Sequence, residues 1–216
     1  ANLSPGSSRK IARLPGAPRS APPPSPRAAE SFSPDKLHLL TVGRIHPRKG
    51  QMVLLEALRR LPAECRARLA LWIVGPVVHH GYFKRCYRHS RTLGVDSHFV
   101  HGADASWLEA AYTRADLFCL PSMEYKKSIE GFGLVNLEAA AHGLPVISSE
   151  TGGTRDTLMP GESGLLVPPG DADALASALA GLIRDKSKRR RFGRNGADFA
   201  ATFSWSRAAR GLYGDA

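Results

Sequence analysis

The sequence predicts a doubly wound α/β domain, in which a mostly parallel sheet carries helices on both of its faces. From His38 onward, short apolar runs alternate with amphipathic helical patterns, and turns that contain glycine separate many of them. This alternation is typical of parallel strands joined by crossover helices. The chain has 216 residues, 43% of them hydrophobic, which is enough for one domain and a tail. In this fold class the ligand site lies at the carboxyl ends of the strands.

Each element is predicted from its local pattern. The first strand is the apolar run HLLTVG, and the helix GQMVLLEALRRLP that follows it places Leu54, Leu58 and Leu61 on one face. The later elements, in chain order, are the strand LALWIVG, a helix over about residues 81–93, the strand SHFVHG, a helix that opens at Asp104, the strand LFCLPS, a helix that starts around Gly133, the strand VISS, the strand GLLVPPG and helices from about Asp171 to Tyr213.

Residues 1–34 differ from the rest of the chain in composition. They hold eight of the sixteen prolines, among Ser, Ala and Arg. Such a segment cannot bury enough apolar area to offset the entropy lost on ordering, so we predict a flexible linker or tail. The folded domain is predicted to span residues 35–216. Because the sequence begins with Ala rather than Met, we expect either a processed chain or a piece cut from a longer one.

The formal net charge of +11 indicates an anionic partner. The densest basic run, Arg184 to Arg194, either contacts anionic lipid headgroups or forms a solvated helix face. No zinc-finger spacing or aromatic-rich sheet motif accompanies the charge, so we do not expect nucleic acid as a partner. No run approaches the roughly 20 apolar residues of a membrane span. Three cysteines without disulfide or metal spacing favour a reducing compartment. We therefore predict a cytoplasmic protein that can contact the inner face of a membrane.

The turn VGRIHPRKG carries the first candidate site residues. It places Gly43, Arg44 and Lys49 at the carboxyl end of the first strand. A glycine there admits close approach of a ligand, and the arginine and lysine suit a diphosphate. The alternative for this turn alone is that both cations are simply solvated.

The stretch EGFGLVNLEAAAHGLPVI places two carboxylates around a glycine-rich helix start. The backbone N–H groups and the positive end of that helix suit a phosphate. Glu130 would repel the phosphate and is better placed to accept hydrogen bonds from sugar hydroxyls, and Glu138 can reach a ribose. The alternative is a capping acid and a surface glutamate. The residues of the loop and helix start are Gly131, Phe132, Gly133 and Leu134.

Two further turns fall on the same predicted edge. The turn TGGTRD, residues 151–156, either lines a sugar pocket or is a plain tight turn. In FVHGAD, the backbone of Val100, His101 and Gly102 can contact the edge of a nucleotide base. The imidazole of His101 is a candidate catalytic group, although loop histidines more often bond to their surroundings.

No metal or covalent-nucleophile site is predicted. His79 and His80 are adjacent and point apart, and no third ligand stands at suitable spacing. The sequence contains no nucleophile elbow, Walker lysine motif or Ser-His-Asp order. We therefore expect neither a metal nor a cofactor.

Together and in this order, the motifs resemble the C-terminal, nucleotide-sugar-binding domain of the family-4 retaining glycosyltransferases, also called glycosyl transferases group 1. The resemblance covers residues 40 to about 213. It implies a Rossmann-like domain that forms one lobe of a GT-B fold. The matching motifs are VGRIHPRKG, WIVG, FVHG, ADLFCLPS, EGFGLVNLEAAAHGLPVI, GGTRD, GESGLLVPPGD and the terminal FSW.

The resemblance also implies roles for the site residues. Glu130 and Glu138 match the family's E-x7-E motif, which assigns Glu130 to the hydroxyls of the transferred sugar and Glu138 to the ribose. Arg44 and Lys49 match the pair that neutralises the donor diphosphate, so that the leaving group departs without a required metal. The loop 131–134 matches the backbone that holds the phosphates.

Two positions depart from the family pattern. The family often has a second glycine two residues after the one at Gly75, whereas Pro76 and Val77 follow here. Asp156 stands where the family usually has glutamate. The first departure puts local base or phosphate contacts in question.

The expected function is the donor-binding half of a retaining glycosyltransferase that uses a UDP-sugar or GDP-mannose. The acceptor is expected to be a glycan, a lipid or a small molecule, bound by an N-terminal domain that this sequence lacks, so the isolated chain should be inactive. One alternative is a non-catalytic nucleotide-sugar-binding subunit that pairs with a separate acceptor-domain chain. Others are a basic nucleic-acid-binding domain and a non-transferase enzyme of the same fold, such as an epimerase or phosphorylase.

Overall fold

A parallel sheet of six strands carries the fold in the computed structural model, which describes residues 32–203. The strands are β1 (Leu37–Val42), β2 (Leu69–Val74), β3 (Asp96–Val100), β4 (Leu117–Leu120), β5 (Val146–Ser149) and β6 (Gly164–Val167). Their order is β3-β2-β1-β4-β5-β6, and all neighbouring pairs are parallel. The chain therefore starts in the middle of the sheet, builds outward, and then crosses over to build the other half. The doubly wound prediction is confirmed.

The predicted helices are present, with ends that differ by a few residues. The helices are α1 (Gln51–Arg60), α2 (Ala63–Ala67), α3 (His80–Ser90), α4 (Ala105–Arg114), α5 (Leu134–Ala141), α6 (Ala172–Arg184) and α7 (Lys186–Thr202), with 3₁₀-helices at Pro47–Lys49 and Gly152–Thr157. Helix α3 ends before residue 93 because the chain turns there and Gly94 adopts φ +66°. The helical prediction beyond Phe203 lies outside the described residues. No helix that the structure describes has the length and apolar character to cross a bilayer.

Two apolar layers, one on each face of the sheet, form the core. Leu39 of β1 packs with α1, α3 and α6, whereas its neighbour Leu40 packs with α4 and α5. Successive residues of β2 alternate in the same way, and every residue of that strand is buried. Strands that are buried on both faces have continuous apolar sequences. These strands could therefore be predicted from the sequence.

The folded unit includes Phe32, which the sequence analysis assigned to the linker. Its ring stacks on Trp72 with centroids 4.4 Å apart, and its side chain is buried. Trp72 Nε1 donates to His38 Nδ1 at 3.0 Å, and the other ring nitrogen of His38 lies 2.7 Å from the Ser33 carbonyl. The N-terminal boundary of the folded domain therefore lies at least three residues before the predicted residue 35. The aromatic cluster buries apolar area and so stabilises the folded state of this segment. The flexible-tail prediction for residues 1–31 concerns a part of the chain outside the described residues.

The basic run from Arg184 to Arg194 separates into structural and exposed cations. Arg189 is buried, and its Nη1 donates to the carbonyls of Leu182 (2.6 Å) and Ile183 (3.0 Å) at the end of α6. Helix C-termini leave such carbonyls without intrahelical partners, so Arg189 stabilises the junction of α6 and α7. The cations of α7 that are exposed are Lys186, Arg190, Arg191 and Arg194.

Replacing Arg189 with methionine should lower the free energy of unfolding by about 1–3 kcal/mol, since two buried carbonyls lose their donor while the apolar stem is kept. Urea denaturation measures this change. The matched control is Arg190→Met on the exposed face, for which we expect a change below about 0.5 kcal/mol. Equal effects of the two variants would show that Arg189 does not hold the junction.

Candidate functional site

The loops that follow β1, β2, β4 and β5 lie at the carboxyl edge of the sheet and contact one another through their backbones. Three hydrogen bonds join them: Ile45 N–H to Pro76 O (2.8 Å), Met123 N–H to Arg48 O (2.8 Å) and Gly153 N–H to Gly131 O (3.0 Å). Turns that are far apart in the sequence therefore form one continuous surface, at the edge where this fold class binds ligands.

Glu130 is the centre of this surface. Its carboxylate is buried, and Oε2 accepts from Lys49 Nζ at 2.6 Å and from Ser122 Oγ at 2.9 Å. Arg48 Nη1 lies 3.1 Å from the same oxygen and donates to the Ile129 carbonyl at 3.0 Å. Two of the predicted site residues, Lys49 and Glu130, thus form an ion pair although 81 positions separate them in the chain.

The charge of Glu130 is stabilised by these partners. Burial acts to raise the pKa of Glu130, but the hydrogen bond and charge of Lys49, the Ser122 hydroxyl and the charge of Arg48 act in the opposite direction and prevail. The pKa of Glu130 therefore lies below its ordinary value. An ionised carboxylate only accepts hydrogen bonds, so this group suits ligand hydroxyls and is not a proton donor at neutral pH.

Gly43 lets Lys49 lie close to the end of β1. A Cβ on Gly43 would stand 3.3 Å from Lys49 Cε, and one on Gly75 would stand 2.2 Å from the Gly43 carbonyl oxygen. Both glycines have positive φ, +151° and +143°. The first glycine of the turn after β2 therefore has a packing role here, whether or not a second glycine follows it.

The loop before α5 packs on the turn that contains Gly152 and Gly153. Gly131 accepts the Gly153 N–H, and a Cβ on Gly152 would collide with the Glu130 carbonyl at 1.7 Å. Gly133 is the N-cap of α5 with φ +76°, and it offers no side chain to bond the first N–H groups of the helix. The loop and the helix start thus present backbone donors at the same carboxyl edge of the sheet as Glu130.

A buried polar network supports this loop from below. Asn136 is fully buried, and its Nδ2 donates to Ser148 Oγ (3.2 Å) and Thr157 Oγ1 (2.8 Å). Thr154 Oγ1 donates to the Ser149 carbonyl at 2.6 Å. The network joins α5, β5 and the second 3₁₀-helix, so the positions of the two glycine turns are coupled. Within residues 32–203, Asn136 Oδ1 has no hydrogen-bond partner.

Glu138 is oriented toward α4. Its Oε2 accepts the hydroxyl of Tyr112 at 2.9 Å, and the Tyr112 ring stacks on His142 at 5.1 Å. Burial, together with the charge of Glu138, raises the pKa of Tyr112 well above its ordinary value, so the hydroxyl remains a donor. One carboxylate oxygen of Glu138 is therefore held by Tyr112, while the other has no hydrogen-bond partner within residues 32–203.

The remaining predicted residues lie farther along the edge. The side chain of Arg44 is exposed, while its carbonyl accepts from Gln51 Nε2 at 3.0 Å. His101 Nδ1 lies 3.3 Å from the Gly75 carbonyl, beside Val100 and Gly102 at the end of β3. The strand order separates the ends of β3 and β4 by three strand spacings, about 14 Å. The predicted residues thus extend along one edge that suits an elongated ligand.

Sequence reasoning missed several residues that hold this site. Arg48 stands next to Lys49 in the same turn, and this second cation was the sequence feature that could have indicated its role. Asn136 is a polar residue within an apolar helical pattern, which also indicates a specific partner. Nothing in the sequence distinguishes Ser122 or Tyr112 from ordinary surface or core residues, because their partners are distant in the chain. Among residues 32–203, no group of three His, Cys, Asp or Glu side chains is placed to hold a metal ion.

The depressed pKa of Glu130 predicts a specific pH dependence of stability. The contribution of its ion pairs is present above the ordinary value of 4.5 and is lost as the pH falls through the lower pKa of the folded state. Glu130→Gln should therefore lower the free energy of unfolding by about 1–3 kcal/mol near pH 7, and the difference from the parent protein should shrink below about pH 4.5.

Urea denaturation across this pH range measures the effect, with the exposed Glu124→Gln as the control from the same loop. A difference between the parent protein and Glu130→Gln that stays constant down to about pH 3 would contradict the assignment of a low pKa.

Comparison with known proteins identifies the family. Residues 25–199 match the family model for glycosyl transferases group 1. A curated relative, D-inositol 3-phosphate glycosyltransferase 2 of Catenulispora acidiphila, is 36% identical over 190 residues, which cover 85% of this chain and 43% of the relative.

Two solved structures share the fold. Sucrose-phosphate synthase from Thermosynechococcus elongatus gives a TM-score of 0.71 at 34% identity, over 88% of this chain and 47% of that protein. Anabaena HepE in complex with UDP-glucose gives a TM-score of 0.69 at 25% identity, over 82% of this chain and 48% of that protein. The chain thus spans less than half the length of each of these three proteins. It belongs to the glycosyl transferases group 1 family and has the Rossmann-like fold of the C-terminal GT-B domain.

Proposed function

We propose that this chain is the donor-binding half of a retaining glycosyltransferase, which transfers a sugar from a UDP-sugar or GDP-mannose to an acceptor without a required metal. The observation that carries the proposal is the Lys49–Glu130 ion pair, at 2.6 Å, in a loop whose glycine Gly133 caps the start of α5 three positions later. Cation, carboxylate and free backbone donors are the groups that a sugar diphosphate needs. HepE, which shares this fold, holds UDP-glucose.

In this proposal the diphosphate binds between the loop after β1 and the start of α5. Arg44 and Lys49 offset the negative charge that develops on the departing phosphate oxygen. The backbone N–H groups of Gly133 and Leu134 donate to the phosphate, and the positive end of α5 adds to the attraction. Because these groups neutralise the charge of the diphosphate, the proposed reaction does not require a metal ion.

In this geometry Glu130 and a bound phosphate both require Lys49, and Arg48 offers Glu130 a second cationic partner. Lys49 is partnered by Glu130, so a phosphate that binds Lys49 takes over part of that interaction. Arg48 contacts the same carboxylate oxygen and keeps Glu130 paired when Lys49 turns to the phosphate. Glu130 then accepts hydrogen bonds from the sugar hydroxyls, and its negative charge favours the oxocarbenium character that the sugar acquires.

Glu138 binds the ribose in this proposal. Tyr112 holds one of its oxygens at 2.9 Å, which leaves the second oxygen for the ribose hydroxyls. The backbone of Val100, His101 and Gly102, at the end of β3, contacts the base. The nucleotide therefore extends from β4 toward β3 along the carboxyl edge.

The acceptor is proposed to be bound by a separate N-terminal domain, so the isolated chain binds donor and transfers nothing. The coverage of 43% of the inositol phosphate glycosyltransferase supports this division. Large apolar side chains at the carboxyl edge also remain exposed: Val78 (50%), Ile129 (53%) and Leu134 (36%). A facing domain or an apolar acceptor would cover them. We place the protein in the cytoplasm, where the exposed cations of α7 can contact an anionic membrane surface.

Calorimetric titration with UDP and with GDP tests the proposal. At least one nucleotide should bind, and Arg44→Ala combined with Lys49→Ala should weaken that binding by at least about tenfold, because two phosphate partners are lost. The control is Lys186→Ala combined with Arg190→Ala, which removes the same charge from the exposed face of α7. Heats that are negligible for both nucleotides, or that fall equally in the two double variants, would contradict the proposal.

A second prediction concerns Tyr112 as a positioning residue for Glu138. Tyr112→Phe removes the hydroxyl that orients the carboxylate, so UDP binding should weaken by about three- to tenfold. Binding of inorganic pyrophosphate, which has no ribose, should not change. Equal losses for UDP and pyrophosphate would mean that Tyr112 acts through the fold as a whole rather than through Glu138.

A further inference from the structure

Two histidines at the carboxyl edge take no part in the proposed donor site. His46 lies in the turn after β1, and its Nδ1 accepts the N–H of Arg48 at 3.2 Å. His79 lies in the turn after β2, and its Nδ1 accepts the N–H of Tyr82 at 3.1 Å. Each ring therefore caps the helix that follows it.

These caps fix which ring nitrogen carries the hydrogen. A neutral imidazole whose Nδ1 accepts a hydrogen bond bears its proton on Nε2. Each ring thus presents an Nε2–H donor on the side opposite its cap. The backbone N–H groups that bond to Nδ1 hold both rings in place. Both residues are partly exposed.

The two rings lie close to each other and to a third loop. Their centroids are 6.1 Å apart, at an interplanar angle of 68°. The ring of Tyr125, from the loop after β4, packs edge-on against His46 at 5.2 Å. Three of the loops at the carboxyl edge therefore each contribute one polar aromatic side chain to the same small region.

The charge around His46 favours an anion. Burial lowers the pKa of His46, and the neighbouring His79, Arg44 and Arg48 lower it further. These neighbours are all basic, so the free protein keeps the imidazole neutral in a region of positive potential. An anion that enters this region is attracted by Arg44 and receives the imidazole N–H donors.

A metal ion is a poor alternative for this pair. Imidazole ligates metals through an unprotonated nitrogen, and here both Nδ1 atoms are already used by backbone N–H groups. The part of the chain that the structure describes also contains no group of three His, Cys, Asp or Glu side chains suited to a metal.

We propose that His46 and His79 form an oxyanion site, which binds a phosphate group through their two Nε2–H donors. The hydrogen-bond donors of this site are the two histidines, whereas those of the donor site are Lys49 and the start of α5. Arg44 lies near both sites. It does not depend on the proposed donor. The phosphate group belongs to a ligand other than the nucleotide, such as a phosphorylated acceptor, and competition with UDP tests this against the diphosphate of the nucleotide.

The experiment is a titration of the ¹⁵N-histidine-labelled chain with inorganic phosphate, followed by long-range ¹H–¹⁵N correlation spectra at constant ionic strength. The Nε2 signals of His46 and His79 should shift and saturate together. His38 should not respond, since both of its ring nitrogens are hydrogen-bonded within the fold. Repeating the titration with saturating UDP should leave the shifts in place. No saturable shift, or shifts that UDP abolishes, would overturn the proposal.

Matched variants separate binding from capping. His46→Asn with His79→Asn keeps a side-chain acceptor for each cap but removes the Nε2 donors. This variant should keep its melting temperature, lose at least about tenfold in phosphate affinity, and bind UDP as before. The corresponding glutamine variant loses the caps but can place an amide N–H near each Nε2 position.

The glutamine variant should therefore melt at a lower temperature and retain more phosphate affinity than the asparagine variant. The reverse order of affinities would overturn the proposal. Calorimetric titration with UDP is carried out on the same variants. A loss of phosphate binding at the two histidines is thereby distinguished from a loss of nucleotide binding at the donor site.

Discussion

The carboxylate of Glu130 and its two cationic partners set the geometry of the carboxyl edge. Removing an ionised carboxylate from water costs several kcal/mol unless charges and hydrogen bonds compensate it. Lys49, Arg48 and Ser122 supply that compensation, and they come from the loops after β1 and β4. This buried charge therefore joins the loops that follow the two central, directly paired strands of the sheet. The glycines around it are then needed, because side chains there would separate the loops.

The sequence was sufficient to predict the architecture. Continuous apolar runs such as the one in β2 mark strands that are buried on both faces, and the helical periodicity of α1 is regular over ten residues. The fold class alone predicted that the site lies at the carboxyl edge of the sheet. Element ends were less predictable, because they depend on tertiary contacts. Phe32 shows this clearly, since its assignment to the folded unit depends on stacking with Trp72, forty positions away.

The candidate site could be predicted only in part, for a related reason. Gly43, Lys49, Glu130 and Gly131 belong to turns with recognisable glycine and charge patterns. Their supporting residues, such as Tyr112 and Ser122, gain their importance from partners that are distant in sequence. Local composition did not predict the role of Arg189. This residue belongs to the densest basic run, yet it is buried and caps the end of a helix. Charge patterns indicate where cations are, whereas the fold decides which of them face solvent.

The central claim is that a nucleotide diphosphate binds at the carboxyl edge, between the loop after β1 and the start of α5. Mapping amide chemical-shift changes on addition of UDP tests it most directly. The largest changes should fall on the backbone amides of Gly43, Gly131 and Gly133, with smaller changes toward the end of β3. Changes confined to the cleft between α1 and α3, which Met52 and Arg88 line, would contradict the account.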